Sequence, residues 1–180
     1  MRIVVSGTHA SGKSTLISDF AGRHQDFEVF DDPYELLEAT PAMPDAATFL
    51  AQFAISAERL HQHEGGNLIA ERGPLDFVAY LDALARLGRG APDATTTRQL
   101  FLATAAAMTE VDVVVLLPLN AGDHINISDE EDPELRVAMN DILIELADDP
   151  ELIGGATVVE IVGDPAARVR GLEAALDSLW

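Results

Sequence analysis

Cysteine is absent, which excludes a disulfide framework and any thiolate metal site. Lysine is almost absent: of 11 basic side chains, all but Lys13 are arginine. Basic charge as a whole is scarce, with 31 acidic residues and a formal net charge of −20. That composition excludes a nucleic-acid backbone as partner, which requires a Lys/Arg-rich face. No apolar run approaches the roughly 20 residues of a membrane span, so no membrane partner is expected. A charged leader with an apolar signal segment is also lacking, and a cytoplasmic location is expected. Internal repeats and low-complexity tails are missing. The acidic, lysine-poor surface is compatible with a salt-rich interior, where repulsion between like charges is screened.

What is present is 180 residues with 48% hydrophobic content, enough for one domain spanning 1–180 with a core of its own. Its organising stretch is Gly7-Thr8-His9-Ala10-Ser11-Gly12-Lys13-Ser14-Thr15, which fills the pattern G-x-x-x-x-G-K-[ST]. The context fits the pattern. Before it runs Arg2-Ile3-Val4-Val5-Ser6, β-branched and suited to a buried parallel strand. After it, Leu16 and Phe20, with Ile17 and Ala21, repeat at helical spacing. A turn between strand and helix directs the backbone N–H groups of Gly7, His9, Ala10, Ser11 and Gly12 onto phosphate oxygens. Lys13 then reaches the β- and γ-phosphates of ATP, Ser14 offers a hydroxyl to Mg²⁺, and Thr15 lies near the α-phosphate.

The remaining segments read as alternating strands and helices. Phe27–Phe30 is a strand ending in Asp31-Asp32-Pro33, where a carboxylate can accept a proton from an acceptor hydroxyl; Asp32 is the stronger candidate and Asp31 the weaker. A short helix is expected over Leu36–Ala39. A longer one, from about Ala46 to Glu64, is capped by Asp45 and carries the apolar stripe Phe49, Phe53, Ala57 and Leu60. Gln52, Arg59, His61 and His63 lie off that stripe, and the two histidines are read as surface residues. Leu68-Ile69-Ala70 runs into Glu71-Arg72-Gly73-Pro74, with Glu71 placed for a second Mg²⁺ contact and Arg72 for a phosphate. Helices follow over 75–87 and 95–109, the second bearing Arg98, read as surface. The strand at 112–117 is continuous and apolar. Residues 119–134 are polar and acidic, which suits a lid, and Arg136, on a helix over 133–147, is the cation that a lid would bring to the transferring phosphoryl group. A loop opening at Asp148, a strand over 157–162 and a helix over 166–179 complete the chain. These elements predict an α/β fold: a three-layer, doubly wound parallel sheet of about five strands.

With these motifs in order, the sequence resembles P-loop nucleoside and nucleotide kinases. It is most similar to the small AAA-type kinase-like ATPases akin to ribosylnicotinamide kinase, and next to the deoxynucleoside kinases. The resemblance rests on GTHASGKST, FDDP, ERGPLDFVAYL and GDPAARV and covers nearly the whole chain. It implies Asp32 as general base, Glu71 near Mg²⁺ and Arg72 at the phosphates. It further implies Gln52 and Arg59 at the acceptor, and Gly163, Asp164 and Pro165 beside adenine. It also implies a homodimer as one oligomeric state. Three departures stand out: the base is Asp where Glu is usual, Gly73 takes the place of a serine, and the lid brings one Arg where several are common. The expected activity is therefore ATP-dependent phosphoryl transfer to a hydroxyl of a small nucleoside-like metabolite. The alternatives are a regulatory ATPase that turns over slowly and a nucleoside monophosphate kinase.

Overall fold

The computed structural model describes residues 1–37, 45–119 and 132–179. Its centre is a parallel sheet of five strands: β1 (Arg2–Ser6), β2 (Phe27–Phe30), β3 (Asn67–Glu71), β4 (Val113–Leu116) and β5 (Thr157–Glu160), in spatial order β2-β3-β1-β4-β5. The predicted doubly wound α/β architecture is thus the observed one. The helices are α1 (Lys13–Ala21), α2 (Ala46–Gln62), α3 (Pro74–Arg86), α4 (Ala94–Met108), α5 (Pro133–Ala147), α6 (Pro150–Ile153) and α7 (Pro165–Ser178).

The strand pleat explains the three layers. Successive side chains point to opposite faces, so Ile3 and Val5, with Ile69, Val113 and Val115, pack against α1 and α7. Val4, Leu68, Ala70, Val114 and Leu116 pack on the other face, against α2 to α6. A sheet buried on both faces reads as continuous apolar sequence, as Val113–Leu116 does. Register places Val5 beside Glu71 and Ser6 beside Leu116. The carboxyl ends of the three inner strands therefore open on one edge, where the strand order reverses and a ligand crevice is expected.

Three local expectations change. The helix expected over Leu36–Ala39 is a 3₁₀ turn over Pro33–Leu36, with Leu37 extended; Glu38 and Ala39 lie outside the described residues. The early start has a cause: Pro33 presets the first turn and the Asp32 carboxylate accepts the Tyr34 N–H at 3.0 Å. The loop opening at Asp148 contains the short helix α6, capped by Asp149. His63 is buried and not on the surface, because α2 stops at Gln62 and the extended His63 turns inward, edge-on to Phe30. Gln52, off the apolar stripe, is nevertheless only 1% exposed. Of the segment expected as a lid, 120–131 lies outside the described residues. Its flanks are anchored: Leu119 N–H donates to Asn140 Oδ1 at 2.8 Å, and Asp132 caps α5 through Leu135 N–H.

Candidate active site

The motif turns at the end of β1 as its glycines require. Gly12 precedes α1 in the left-handed region, at φ 87°, which an L side chain adopts only with strain. A Cβ on Gly7 would lie 2.7 Å from Ser11 Oγ and 2.9 Å from the Leu117 carbonyl oxygen, so only a bare backbone fits there. Ala10 also has positive φ, 50°. Three charged side chains from elsewhere in the chain hold the loop in this shape.

The first is Asp76, fully buried in the opening turn of α3. Its Oδ1 accepts the Gly7 N–H at 2.9 Å, and its Oδ2 accepts Ser6 Oγ at 2.7 Å and the Gly73 N–H at 2.9 Å. Burial pushes this carboxyl upward, opposed by the Gly7 N–H and the Ser6 hydroxyl. The second is Arg168 of α7, whose Nη1 donates to the Ser11 carbonyl at 2.6 Å while Nε donates to the Gly163 carbonyl at 2.8 Å. That side chain ties the Gly163-Asp164-Pro165 loop to the phosphate loop; the Asp164 carboxylate itself caps α7 through Ala167 N–H at 2.8 Å. The third is Arg136 of α5, whose Nε and Nη2 donate to the carbonyls of His9 and Ala10, each at 3.1 Å.

Lys13 is 3% exposed; its Nζ donates to the Thr8 carbonyl at 2.8 Å and lies 3.9 Å from Glu71 Oε1. Burial, then the nearby Arg72 cation, holds its ammonium down to about 8, with Glu71 acting in the other direction. Ser14 Oγ donates to Glu71 Oε1 at 3.0 Å. Burial raises the Glu71 carboxyl, partly offset by Lys13 and the Ser14 hydroxyl. A hydroxyl and a carboxylate that converge to hydrogen-bond distance are hard oxygen donors of the kind Mg²⁺ accepts. That ion takes only one or two protein ligands where phosphates and water complete its shell. The pair fits it, and among the described residues no group of three or more His, Cys, Asp or Glu forms a separate metal cage. Thr15 is exposed at the start of α1.

Across the edge, Arg72 follows β3 in a left-handed conformation, φ 63°. Positive φ in a bulky residue stores strain of the kind found at functional sites. The side chain turns back to Asp32, Nε to Oδ2 at 3.1 Å, as an ion pair whose N–H is not aligned for a hydrogen bond. Its guanidinium also sits 5.3 Å from the Tyr80 ring centroid. Burial opposes its charge, but the carboxylates of Asp32, Asp76 and Glu71 keep it protonated. Tyr80 stacks in turn on Phe49 of α2, centroids 4.5 Å apart and ring planes nearly parallel. Gln52, one turn further along α2, donates weakly to the Thr48 carbonyl at 3.4 Å and keeps a buried Oε1 without partner.

Other predicted residues lie at the margin of this cluster. Arg59 donates to the Asp31 carbonyl at 2.9 Å and lies 4.1 Å over the Phe30 ring. Arg98 is exposed on α4. Sequence reading passed over Asp76, Tyr80 and Arg168. Asp76 and Tyr80 sit inside an ordinary amphipathic pattern, and Arg168 inside a quoted motif whose arginine was not singled out. The one local signal was a carboxylate three residues after a Gly at a helix start.

The comparisons with known proteins agree with this architecture. A family profile described as "AAA domain" matches residues 2–168. No curated protein sequence matches the chain. The fold is similar to that of deoxyadenosine kinase from M. mycoides with its products dCMP and dCDP bound, at TM-score 0.70 and 15% identity over 100% of both chains. It is also similar to thymidylate kinase from Candida albicans, at TM-score 0.68 and 17% identity over 99% of this chain and 91% of that one. At such identities the likeness concerns the fold alone. Among the described residues, no helix is long and apolar enough to cross a membrane.

Proposed function

From the premise that the chain belongs to the AAA-domain family matched over residues 2–168, we propose that it is an ATP-dependent phosphotransferase acting on a hydroxyl of a small nucleoside-like metabolite. One juxtaposition carries the reading. A phosphate loop with its Lys13–Glu71–Ser14 cluster faces a carboxylate and a guanidinium, Asp32 and Arg72, held 3.1 Å apart at the neighbouring strand ends. Fold likeness to a deoxyadenosine kinase and a thymidylate kinase supports the same class.

In this mechanism the loop N–H groups and Lys13 grip the triphosphate. Ser14 and Glu71 would hold Mg²⁺, which would supply positive charge against the phosphates when bound. Asp32 takes the acceptor's hydroxyl proton as the oxygen attacks the γ-phosphorus, while the bond to the β–γ bridging oxygen breaks and its electrons stay on ADP. Arg72 pairs with the carboxylate and neutralises the phosphoryl oxygens. Most of the rate then comes from positioning and electrostatics. On the acceptor side, Gln52 keeps a buried acceptor oxygen without a partner, which suits a hydrogen-bond donor of the acceptor molecule.

A hydroxyl acceptor is preferred over a monophosphate because the Asp32 carboxylate would repel an acceptor phosphate, and Arg59 is engaged with the Asp31 carbonyl and Phe30. The slow regulatory ATPase remains the second reading, favoured by Arg136 lying on the loop's own carbonyls. ADP release is measured with Mg·ATP and a panel of nucleosides, deoxynucleosides, ribosylnicotinamide and nucleoside monophosphates. A hydroxyl-bearing nucleoside is expected to raise turnover well above the ATP-only rate, and Asp32→Asn to abolish that rise. If no acceptor raises it, the kinase assignment is wrong.

A further inference from the structure

His9 lies inside the phosphate loop, where only its backbone was expected to serve. Its ring stacks against Tyr80, centroids 6.2 Å apart at 17°. The His9 backbone N–H donates to the Tyr80 hydroxyl oxygen at 2.8 Å, and His9 Nδ1 lies 3.2 Å from the same oxygen. A phenol has one hydrogen to donate. Thr8 Oγ1 lies 3.4 Å from the same Nδ1; when the phenol hydrogen is directed to Nδ1, the imidazole's own proton stays on Nε2. His9 Nε2 is buried and has no partner. With its proton there, Nε2 is a buried donor with no acceptor, which costs free energy and calls for a water, an ion or a catalytic role to account for it.

The surroundings identify the chemistry of that ligand. Burial, followed by the cations Arg72, Arg136 and Lys13, holds the imidazole down to about 4, with Asp132 pulling weakly the other way. The ring is therefore neutral at pH 7, and it sits where three cations converge. Two of them have carboxylate partners, Glu71 for Lys13 and Asp32 for Arg72, whereas Arg136 rests on the uncharged carbonyls of His9 and Ala10. A position ringed by cations and supplied with a neutral N–H suits a small, highly charged oxyanion.

We propose that His9 is a catalytic residue whose Nε2–H donates a hydrogen bond to an oxygen of the phosphoryl group in transfer, and that Tyr80 is the positioning residue that fixes its tautomer. This rests on the kinase reading above. Bond making and breaking are unchanged by it: the acceptor proton goes to Asp32, the leaving electrons to ADP, and His9 keeps its proton throughout. The hydrogen bond strengthens as the phosphoryl group flattens between donor and acceptor, so its effect falls on turnover more than on nucleotide affinity.

The test uses the full chain with ¹⁵N-labelled histidine and Mg²⁺, ADP and aluminium fluoride, whose planar AlF₄⁻ imitates the group in flight. The free protein is expected to show His9 protonated on Nε2, and the Nε2 resonance to move on adding AlF₄⁻ to the Mg·ADP complex. Calorimetry is expected to show His9→Ala weakening ADP·AlF₄⁻ by about tenfold more than it weakens ADP, the size of one hydrogen bond to a charged group. His9→Gln, which returns an N–H at similar reach, recovers part of the loss, and Tyr80→Phe mixes the tautomers. Protonation on Nδ1, or equal weakening of ADP and ADP·AlF₄⁻, overturns the proposal while the kinase reading stands. Failure of the parent protein to bind Mg·ADP at all overturns both.

Discussion

Asp76 Oδ1 receives the Gly7 N–H at 2.9 Å, so a carboxylate from the opening turn of α3 fixes the first residue of the phosphate loop. The other oxygen takes two more donors, the Ser6 hydroxyl and the Gly73 N–H. One side chain thereby joins the nucleotide side of the site to the element that follows Arg72. Asp76→Asn keeps the shape but points an amide N–H₂ at groups that themselves donate. We expect a loss of about 3 kcal/mol, the range for breaking a buried charged network. In thermal unfolding that corresponds to roughly 6–12 °C for a chain of this size, and Mg·ATP affinity should fall with it. An unchanged melting temperature would show that the three donors find other partners.

The lowered Lys13 ammonium links nucleotide binding to pH. Its ordinary value is 10.5 and the folded protein holds it at about 8. The folded state binds this proton less tightly than the unfolded chain does. The empty protein therefore bears the cost of a buried charge below pH 8, and that cost disappears as pH rises from about 8 to 10.5. Phosphates favour the charged form, so Mg·ATP should bind with uptake of a proton at pH 9 and with none through this group at pH 6.5. Affinity should weaken as pH rises above 8. Calorimetry in two buffers of different ionisation enthalpy reads the uptake directly, and identical heats in both buffers at pH 9 would refute it.

Gly73 stands where the resembling kinases carry serine, and packing explains the difference. A Cβ there would meet Val4 Cγ1 at 2.7 Å, in the middle of β1. Gly73→Ala is expected to cost about 1–3 kcal/mol by overpacking, measured by chemical denaturation. Adding Val4→Ala should return part of that loss in a double-mutant cycle. Independent, additive effects would mean that the clash is relieved elsewhere.

Arg136 donates to two carbonyls of the loop it is expected to serve. If it leaves them for the transferring phosphoryl group, Arg136→Ala should do two separable things. Amide exchange across residues 7–12 should quicken in the empty protein, because two restraints are gone. Turnover with a good acceptor should drop on the order of 100-fold, the effect of removing one preorganised donor. Arg136→Lys should rescue neither fully, since an ammonium lacks the fork that spans both oxygens. Faster exchange with turnover intact would make Arg136 a brace only.

The phosphate loop was legible because its requirements are local: glycine where backbone must approach closely or turn left-handed, Lys13 and Ser14 at fixed offsets, a β-branched run before and a helical period after. The same holds for the parallel sheet, whose inner strands are buried on both faces and so appear as unbroken apolar runs such as Val113–Leu116. Asp76 and Tyr80 were not legible, because in sequence they fill unremarkable positions of an amphipathic helix and acquire meaning only when α3 lies against the loop. Arg168 and Arg136 reach that loop from 157 and 127 residues away, distances no periodicity spans. His63 was misplaced because a helical period does not show where the helix ends: α2 stops at Gln62 and the extended His63 turns inward. Sequence alone determined the fold class and the phosphate grip, since each depends on residues adjacent along the chain. Tertiary structure decided what surrounds that grip, because in a parallel sheet the carboxyl ends of strands far apart in sequence meet along one edge, and there burial and proximity set which charges face each other.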